Sequence, residues 1–293
     1  MREEYHAITT RILEQMELCE KNNTQFVLPF SGNAGLAMNP TTGQRYNGIN
    51  QLLLSLDGQE HYAGYGQWKK MGCQVNKNEK AIKICRMVTV LEKEPKDPDN
   101  PKGYKYPKFL SVFGCNQITI KNVSKYKGIV KTPKTDRTTT IPAADAWIEK
   151  TAATVTHSDA ARAYYQPSGD LIHMPNRSLF SATPTSSATE AYYSTYLHEL
   201  THWSGSESRL NRIKGSRFGD QAYAMEELIA ELGAAFQCQH LGVTSSPRED
   251  HAHYLNSWIK VLKKDARAIF TAATQAQAAF DYIENLQDQS IAA

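Results

Sequence analysis

The sequence has 293 residues, enough for one large domain or two ordinary ones. A composition of 41% apolar and 22% charged residues, with 17 glycines and 12 prolines, excludes collagen-like, wholly disordered and coiled-coil proteins. No run reaches the roughly 20 apolar residues of a membrane helix, and the N-terminus lacks the apolar core of a signal peptide, so we expect a cytoplasmic protein without a membrane partner. An odd number of scattered cysteines without a C-x-x-C pair argues against a disulfide framework.

The charge is distributed unevenly along the chain. Residues 1–140 carry a net charge of +8, most of it from 66–140 at +11, whereas 141–293 carry −5. Such a basic segment favours a polyanion or an anionic surface as its partner. The segment KTPKTDRTTTIP lies where the charge changes, and its two prolines and five threonines are typical of an exposed connector. We therefore predict a first domain at 1–130, a linker at 131–142 and a second domain at 143–293.

The first half combines helix and strand patterns. Apolar residues at steps of three and four predict a first helix that ends at Asn22-Asn23, and this apolar face consists of Tyr5, Ile8, Ile12, Met16 and Cys19. The segment INQLLLSL is a further helix candidate. The segments AIKICRMVTVL and KFLSVFGCNQITI are rich in β-branched residues and predict strands, and the Pro-rich 92–108 between them predicts a loop or hairpin arm.

The second half is predicted to be mainly helical. Helices are expected at about 143–151, 189–204, 221–240 and 250–285, and Gly205 is typical of a residue that ends a helix. Two short strands are expected on either side of a turn at 167–169. The predicted buried side of the last helical segment consists of Trp258, Val261, Leu262, Ile269, Phe280 and Ile283. The expected fold class is α+β, with a mainly helical second domain that contains a small sheet.

The predicted helix at 189–204 contains the H-E-x-x-H motif, from His198 to His202. Residues four apart share one helix face, with Cβ atoms about 5–6 Å apart, so the two imidazoles can bind one ion. Zinc is the metal that this motif favours. Glu199 would lie beside the histidine pair and could take a proton from a metal-bound water molecule. We therefore predict His198 and His202 as zinc ligands and Glu199 as the catalytic base.

A catalytic zinc needs a third protein ligand and keeps one position open for water. The metzincin pattern would place a histidine at 208, but the sequence has Ser208 there. The following predicted helix contains Glu227 and Glu231, four apart on one face. We predict Glu227 as the third ligand and Glu231 as the acceptor of a histidine N–H, since ligating histidines usually have such a partner. Glu226 is expected to point elsewhere and to face solvent.

The basic segment also contains aromatic residues, a combination typical of proteins that bind single-stranded DNA. Bases stack on aromatic rings while Lys and Arg follow the backbone. Tyr104 and Tyr106 occur in the predicted polar loop, where burial is least expected. The predicted DNA-binding residues are Arg45, Tyr46, Trp68, Lys69, Lys70, Lys77, Lys80, Lys102, Tyr104, Lys105, Tyr106 and Lys108.

Motifs in both halves resemble the ArdC-type antirestriction proteins, and the resemblance extends over nearly the whole chain. In the second half, DLIHMP, LHELTHWSG, SRLNR and EELIAE are similar to the zincin-like metallopeptidase domain of that family. In the first half, LPF, YNGIN and the segment 72–80 resemble the single-stranded-DNA-binding module that these proteins share with certain plasmid primases. Asn78 stands where glycine is expected, and asparagine tolerates the left-handed conformation that such a turn needs.

This resemblance implies a plasmid-borne, conjugation-associated protein that binds incoming single-stranded DNA and protects it from restriction in the recipient cell. It also implies a zinc metallopeptidase whose protein substrate is unknown, with a host restriction component as a candidate. The E-x-x-A pattern of the family fits Glu227 and Ala230, which supports Glu227 as the metal ligand.

Three functions remain open on the residues alone. The first is a zinc protease tethered to DNA, with Tyr223 or His173 stabilising the oxyanion. The second is a DNA-binding protective protein whose zincin domain is structural and not proteolytic. Glu199 argues against it, because a structural zinc has a closed ligand shell and does not need that residue. The third is a zinc-dependent nuclease, for which the motif is poor support because phosphodiester chemistry usually uses clustered carboxylates and two metals.

Overall fold

The computed structural model describes residues 2–21, 36–91, 103–122, 140–182, 186–212, 221–243 and 251–289. The fold is α+β, as the sequence predicts. The predicted helix end at Asn22-Asn23, Lys102 and the greater part of the predicted linker lie outside the described residues. No helix in the described part of the chain is long and apolar enough to cross a membrane.

The N-terminal half combines helices with short strands around a long hairpin. Its first helix buries Ile8, Ile12 and Met16, which confirms the predicted apolar face at these positions. In chain order the elements are α1 (Arg2–Lys21), β1 (Met38–Asn39), β2 (Gln44–Arg45), α2 (Ile49–Ser55), β3 (Tyr62–Ala63), α3 (Tyr65–Lys70), β4 (Cys73–Val75), β5 (Ile82–Leu91), β6 (Gly103–Gly114) and β7 (Ile118–Ile120). One sheet has the order β3-β6-β5, and β4 pairs with β7.

Strands β5 and β6 form an antiparallel hairpin with ten residue pairs, from Ile82 opposite Val112 to Leu91 opposite Gly103. The sequence predicts strands at 81–91 and 108–120 with a hairpin arm or loop at 92–108. Residues 103–108 are a hairpin arm, because they belong to β6, whereas the second predicted strand is divided at Cys115–Gln117 into β6 and β7. Pro107 made residues 103–108 resemble a loop. A proline fits here because, among the described strands, β6 pairs with β5 alone at that level, its pairing with β3 being confined to Phe113 and Gly114.

The C-terminal half places a small sheet beside a group of helices. Its elements are α4 (Pro142–Glu149), β8 (Thr154–Ser158), β9 (Tyr164–Gln166), β10 (Leu171–Pro175), α5 (Ala188–Ser204), α6 (Gln221–Leu241), α7 (His251–Lys264) and α8 (Ala268–Gln289). The sheet has the order β8-β10-β9, with β10 parallel to β8 and antiparallel to β9. The predicted helices at about 143–151, 189–204 and 221–240 and the two strands flanking the turn at 167–169 are confirmed. The predicted helix at 250–285 is divided into α7 and α8, and β8 was not predicted.

The main hydrophobic core includes residues from both predicted domains. Ile12 and Leu53 from the N-terminal half share one buried cluster with Leu232 and Trp258 from the C-terminal half. A buried polar contact also joins the halves, because Gln51 Nε2 of α2 donates to Gln239 Oε1 of α6 at 2.7 Å. The position of the domain boundary stays a prediction, but the two sides of it pack against each other.

Candidate metal centre and nucleic-acid surface

The two histidines of the motif converge on the buried side of α5. The helix begins with a capping box in which the Ser187 hydroxyl accepts from the Glu190 backbone N–H and the Glu190 carboxylate accepts from the Ser187 backbone N–H. Helical spacing then brings His198 Nε2 within 3.1 Å of His202 Nε2. Both predicted histidine ligands therefore direct the same ring nitrogen toward a common point.

Glu227 of α6 completes a three-residue donor set, as expected for the third ligand. Its carboxylate oxygens lie 3.6 Å from His198 Nε2 and 3.5 Å from His202 Nε2. Ligands about 2.1 Å from a tetrahedral metal are about 3.4 Å from one another, so the distances in this group match a single ion. Two imidazoles and one carboxylate thus fit the metal that the H-E-x-x-H motif implies.

The ligands converge because α5 and α6 pack very closely. A Cβ atom at Gly233 would lie 2.4 Å from Thr201 Cγ2, so a larger residue would push the helices apart. Gln237 Nε2 bridges the helices by donating to Leu197 O at 3.1 Å and to Thr201 Oγ1 at 2.9 Å. Gly233 and Gln237 therefore fix the distance across which Glu227 reaches the histidines.

Each histidine contacts a different carboxylate through its other ring nitrogen. His198 Nδ1 lies 2.9 Å from Glu231 Oε1, the carboxylate expected to accept a histidine N–H. His202 Nδ1 lies 3.3 Å from Glu226 Oε1, and Glu226 is also bound by Arg212. The expectation that Glu226 points elsewhere and faces solvent was wrong, because helical spacing alone did not reveal its partner Arg212, which lies outside α6.

Without a metal ion, a charged His202 and the Glu227 carboxylate stabilise each other. Burial lowers the pKa of His202, but Glu227, Glu226 and Glu199 outweigh that effect and raise it to about 10. Burial alone would raise the pKa of Glu227, yet His202 and His198 hold it well below its usual range. A metal ion would replace this proton, since a coordinating imidazole must be neutral.

Glu199 is buried in α5, and its charge contributes to the raised pKa of His202. It is thus close to the donor set without belonging to it, as the sequence predicts.

His173, one candidate for stabilising an oxyanion, is engaged elsewhere: Nδ1 contacts Arg162 O at 2.8 Å and Nε2 contacts Ser158 Oγ at 2.8 Å. Tyr223 is half-buried in α6, three residues before Glu226.

Several predicted DNA-binding residues lie on the surface of the N-terminal half. Tyr104 is 64% exposed, and its ring centroid lies 6.1 Å from that of the half-buried Tyr106 on the same strand. The exposed lysines of the predicted set are Lys69, Lys70, Lys77, Lys80 and Lys108. Asn78 adopts a φ of 68°, the left-handed conformation expected when asparagine replaces glycine in this turn.

Other members of the predicted set have structural partners. Trp68 is fully buried and donates to Phe113 O at 3.0 Å, so its prediction as a base-stacking residue was wrong. Tyr46 is half-buried and donates to Tyr62 O at 2.9 Å, and Arg45 pairs with Glu284 Oε1 at 2.7 Å. The sequence of a basic segment does not show whether an apolar or aromatic side chain within it is buried or exposed. The side chain of Lys105 lies outside the described part of the structure.

Family models match both halves of the chain. Residues 2–113 match the N-terminal domain of the anti-restriction factor ArdC, and residues 142–275 match a zincin-like metallopeptidase domain. The zincin-like domain contains α5 and α6 together with His198, His202 and Glu227. Fold and site therefore define a protein with a zincin-like metallopeptidase domain.

Similarity to solved structures extends over almost the entire chain. The metal-free antirestriction protein ArdC of plasmid R388 is 32% identical, with a TM-score of 0.74 over 97% of this chain and 98% of that one. The Mn(II)-bound form is 31% identical over the same shares, with a TM-score of 0.65. The chain belongs to the ArdC antirestriction protein family.

Curated relatives include longer proteins. Two Escherichia coli proteins named DNA primase TraC are 32% and 30% identical over 98% of this chain, which spans only 20% and 27% of their length. An uncharacterised protein of Sinorhizobium fredii is 28% identical over 98% of this chain and 93% of its own length.

Proposed function

We propose that the C-terminal half is a metal-dependent peptidase. The observation that carries this proposal is the convergence of His198, His202 and Glu227, with the buried Glu199 close to them. A bound metal ion would polarise the scissile carbonyl and acidify water. Glu199 would accept the proton of the attacking water at its carboxylate and deliver it to the leaving amine.

Zinc is the metal we propose for this centre. Two imidazole nitrogens and one carboxylate form a ligand set of catalytic zinc sites, and a structural zinc more often has four closed protein ligands. Manganese is the competing candidate because a related ArdC structure is Mn(II)-bound. Elemental analysis of protein purified without chelators distinguishes the two metals, with about one zinc per chain as the expected result.

We also propose that the N-terminal half binds single-stranded DNA on the outer part of the β5–β6 hairpin, the end that carries Tyr104 and Tyr106. Tyr104, Tyr106 and Lys108 alternate along β6 and lie on one face, and Arg86 is the cross-strand partner of Lys108. At the inner end the same face is occupied by Ile82 of the core. The outer face thus offers two rings for stacking beside two exposed cations for phosphate contacts.

Together these two activities would place a peptidase on incoming single-stranded DNA. Membership of the antirestriction family and the +11 charge of residues 66–140 support this combination. The expected setting is the recipient cytoplasm during plasmid conjugation. The protein substrate would be bound near the same DNA, with a host restriction component as the candidate.

The decisive experiment measures cleavage of denatured casein, and of the protein itself, by the zinc-loaded full chain with and without a dT oligonucleotide. Wild type should cleave both substrates. Cleavage of the protein itself should be faster with the oligonucleotide, because DNA brings the enzyme and a DNA-bound protein together. Glu199→Gln and chelator-treated protein should be inactive. Identical behaviour of wild type and Glu199→Gln would favour the alternative, in which the zincin domain is structural and the protein protects DNA by binding it.

A further inference from the structure

We propose that Arg212 and Glu226 form a clamp that orients His202 for metal binding. This inference rests on the metal centre proposed above and assigns positioning roles to two residues outside the donor set. Glu226 Oε1 lies 3.3 Å from His202 Nδ1 and 3.1 Å from Arg212 Nη2. Its other oxygen accepts from Arg212 Nε at 3.3 Å, so the guanidinium holds both carboxylate oxygens.

Arg212 is itself fixed by the C-terminal end of α5. Its Nη2 donates to Thr201 O at 2.7 Å and its Nη1 to Ser204 Oγ at 3.1 Å, and its side chain is only 5% exposed. Its backbone N–H donates to Gly205 O at 2.9 Å. A positive charge is favourable here because the last carbonyl groups of a helix carry partial negative charge.

Gly205 provides the space for this guanidinium. A Cβ atom at Gly205 would lie 2.8 Å from Arg212 Nη2 and 3.1 Å from Arg212 Cζ. The φ of Gly205 is −85°, so the position does not need glycine for its backbone conformation. The close approach of Arg212, together with His202 O at 3.1 Å from the same Cβ position, leaves little room for a side chain here.

The clamp matters because the two ligand histidines are supported differently. His198 is deeply buried and contacts Glu231 of α6. His202 is more exposed. Its Nδ1 contacts the Glu226 carboxylate, which is held by Arg212 in the segment that follows α5. With Nδ1 fixed by Glu226, the ring directs Nε2 toward His198 and Glu227. Loss of the clamp would let the imidazole rotate away from the donor set.

The test measures Zn²⁺ affinity of the full chain by competition with a chromogenic chelator, and the visible absorption spectrum of the Co²⁺-loaded protein. Glu226→Ala and Arg212→Met should each weaken Zn²⁺ binding by about 10–100-fold, as losses of groups that orient ligands do. Both should also alter the Co²⁺ spectrum. The variant that combines both substitutions should bind Zn²⁺ no more weakly than the single variant with the lower affinity, because the two residues act as one unit. Arg212→Lys should recover only part of the affinity, since an ammonium cannot hold both carboxylate oxygens.

Arg209→Met is the matched control. Arg209 lies in the same segment and donates to the α5 carbonyl of Trp203 at 2.6 Å, but it pairs with Asp170 instead of Glu226. It should lower thermal stability while leaving Zn²⁺ affinity and the Co²⁺ spectrum unchanged. Equal affinity losses in Arg209→Met and Arg212→Met would overturn the clamp, as would unchanged binding in Glu226→Ala. Glu227→Ala tests the centre separately: if it retains wild-type affinity, the metal centre itself is wrong.

Discussion

Four carboxylates surround the two histidines, and their positions assign them different chemistry. Glu227 faces both Nε2 atoms, whereas Glu231 and Glu226 each contact one Nδ1 atom. Glu199 is buried nearby but does not belong to the three-residue donor set. Removal of Glu227 should therefore weaken metal binding, while removal of Glu199 should lower peptidase activity and leave the metal bound.

The Glu199→Gln variant tests this separation directly. Glutamine has nearly the same shape as glutamate but cannot accept a proton at neutral pH, so zinc content and melting temperature should stay close to wild type. Peptidase activity should fall by at least about 100-fold, the contribution typical of a general base. Zinc content and casein cleavage are measured on the same sample, with His202→Ala as the variant that should lose the metal. Loss of zinc from Glu199→Gln would show that Glu199 is a ligand.

The proximity of the three donor residues could be predicted from the sequence because helical periodicity places residues four apart on one face. His198 and His202 follow from one motif, and Glu227 follows from the next helix and the family resemblance. Glu226 could not be assigned in the same way, because its role depends on Arg212, which belongs to the segment after α5. A contact between residues 14 positions apart, one of them outside a helix, leaves no periodic pattern in the sequence.

At the scale of elements, Arg209 joins the segment after α5 to the turn between β9 and β10. Its guanidinium pairs with both carboxylate oxygens of Asp170 and lies 4.0 Å from the ring centroid of Trp203. Asp170 adopts a φ of 47°, which asparagine also tolerates. The hydrogen bond from Arg209 lowers the pKa of Asp170 below its usual value.

This ion pair predicts a dependence of stability on pH. A lowered folded-state pKa means that Asp170 stabilises the fold above the unfolded value of about 4 and that this contribution is lost as pH falls through the folded pKa. The melting temperature of wild type should therefore exceed that of Asp170→Asn at neutral pH, and the difference should disappear in acid. In an Arg209→Met background, Asp170→Asn should make little further difference. An equal difference at every pH would contradict the assignment.

The β5–β6 hairpin predicts two separable effects on DNA binding by the full chain. Tyr104→Ala or Tyr106→Ala should cost roughly 1–3 kcal/mol for each base that no longer stacks and leave the salt dependence unchanged. Replacing Arg86 and Lys108 by glutamine should instead reduce the slope of log affinity against log salt, by about 0.7 for each phosphate that is no longer neutralised. Fluorescence anisotropy with a dT oligonucleotide measures both effects.

Tyr65→Ala is the control for the tyrosine variants, because this exposed ring lies on α3, which packs against the inner end of β6 near Phe113. Duplex DNA of equal length should bind less well than the oligonucleotide, since its bases cannot reach a ring. Equal losses in Tyr65→Ala and Tyr104→Ala would refute a specific role for the hairpin.

The elements most accurately predicted are the helices, whose apolar residues recur over several turns. The tail shows where the pattern is insufficient: the predicted helical stretch 250–285 is divided into α7 and α8 by residues 265–267. Asp265 accepts from the backbone N–H of Arg267 at 2.9 Å there, a local contact that competes with helix continuation. Polar residues of this kind also occur within helices, so sequence alone does not locate the break.

At the scale of the whole molecule, the basic half and the acidic half share a core. Helix α1 packs against α7, and α2 packs against α8. Ile12 on α1 is 1% exposed and belongs to the same buried cluster as residues of α6, the helix that carries Glu227. Separating the halves would expose apolar surface on both, so the folding of the metal centre should depend on the N-terminal half.

Ile12→Ala tests this dependence. Truncating a buried isoleucine costs about 2–5 kcal/mol, whereas Leu18→Ala, at a position 50% exposed on the same helix, should change stability by less than about 0.5 kcal/mol. If the halves unfold together, calorimetry should show one transition, and Ile12→Ala should lower both the melting temperature and the temperature at which zinc is released. Zinc release is followed with a fluorescent chelator during the same melt. Two transitions, with zinc release unaffected by Ile12→Ala, would show that the halves fold independently despite their shared core.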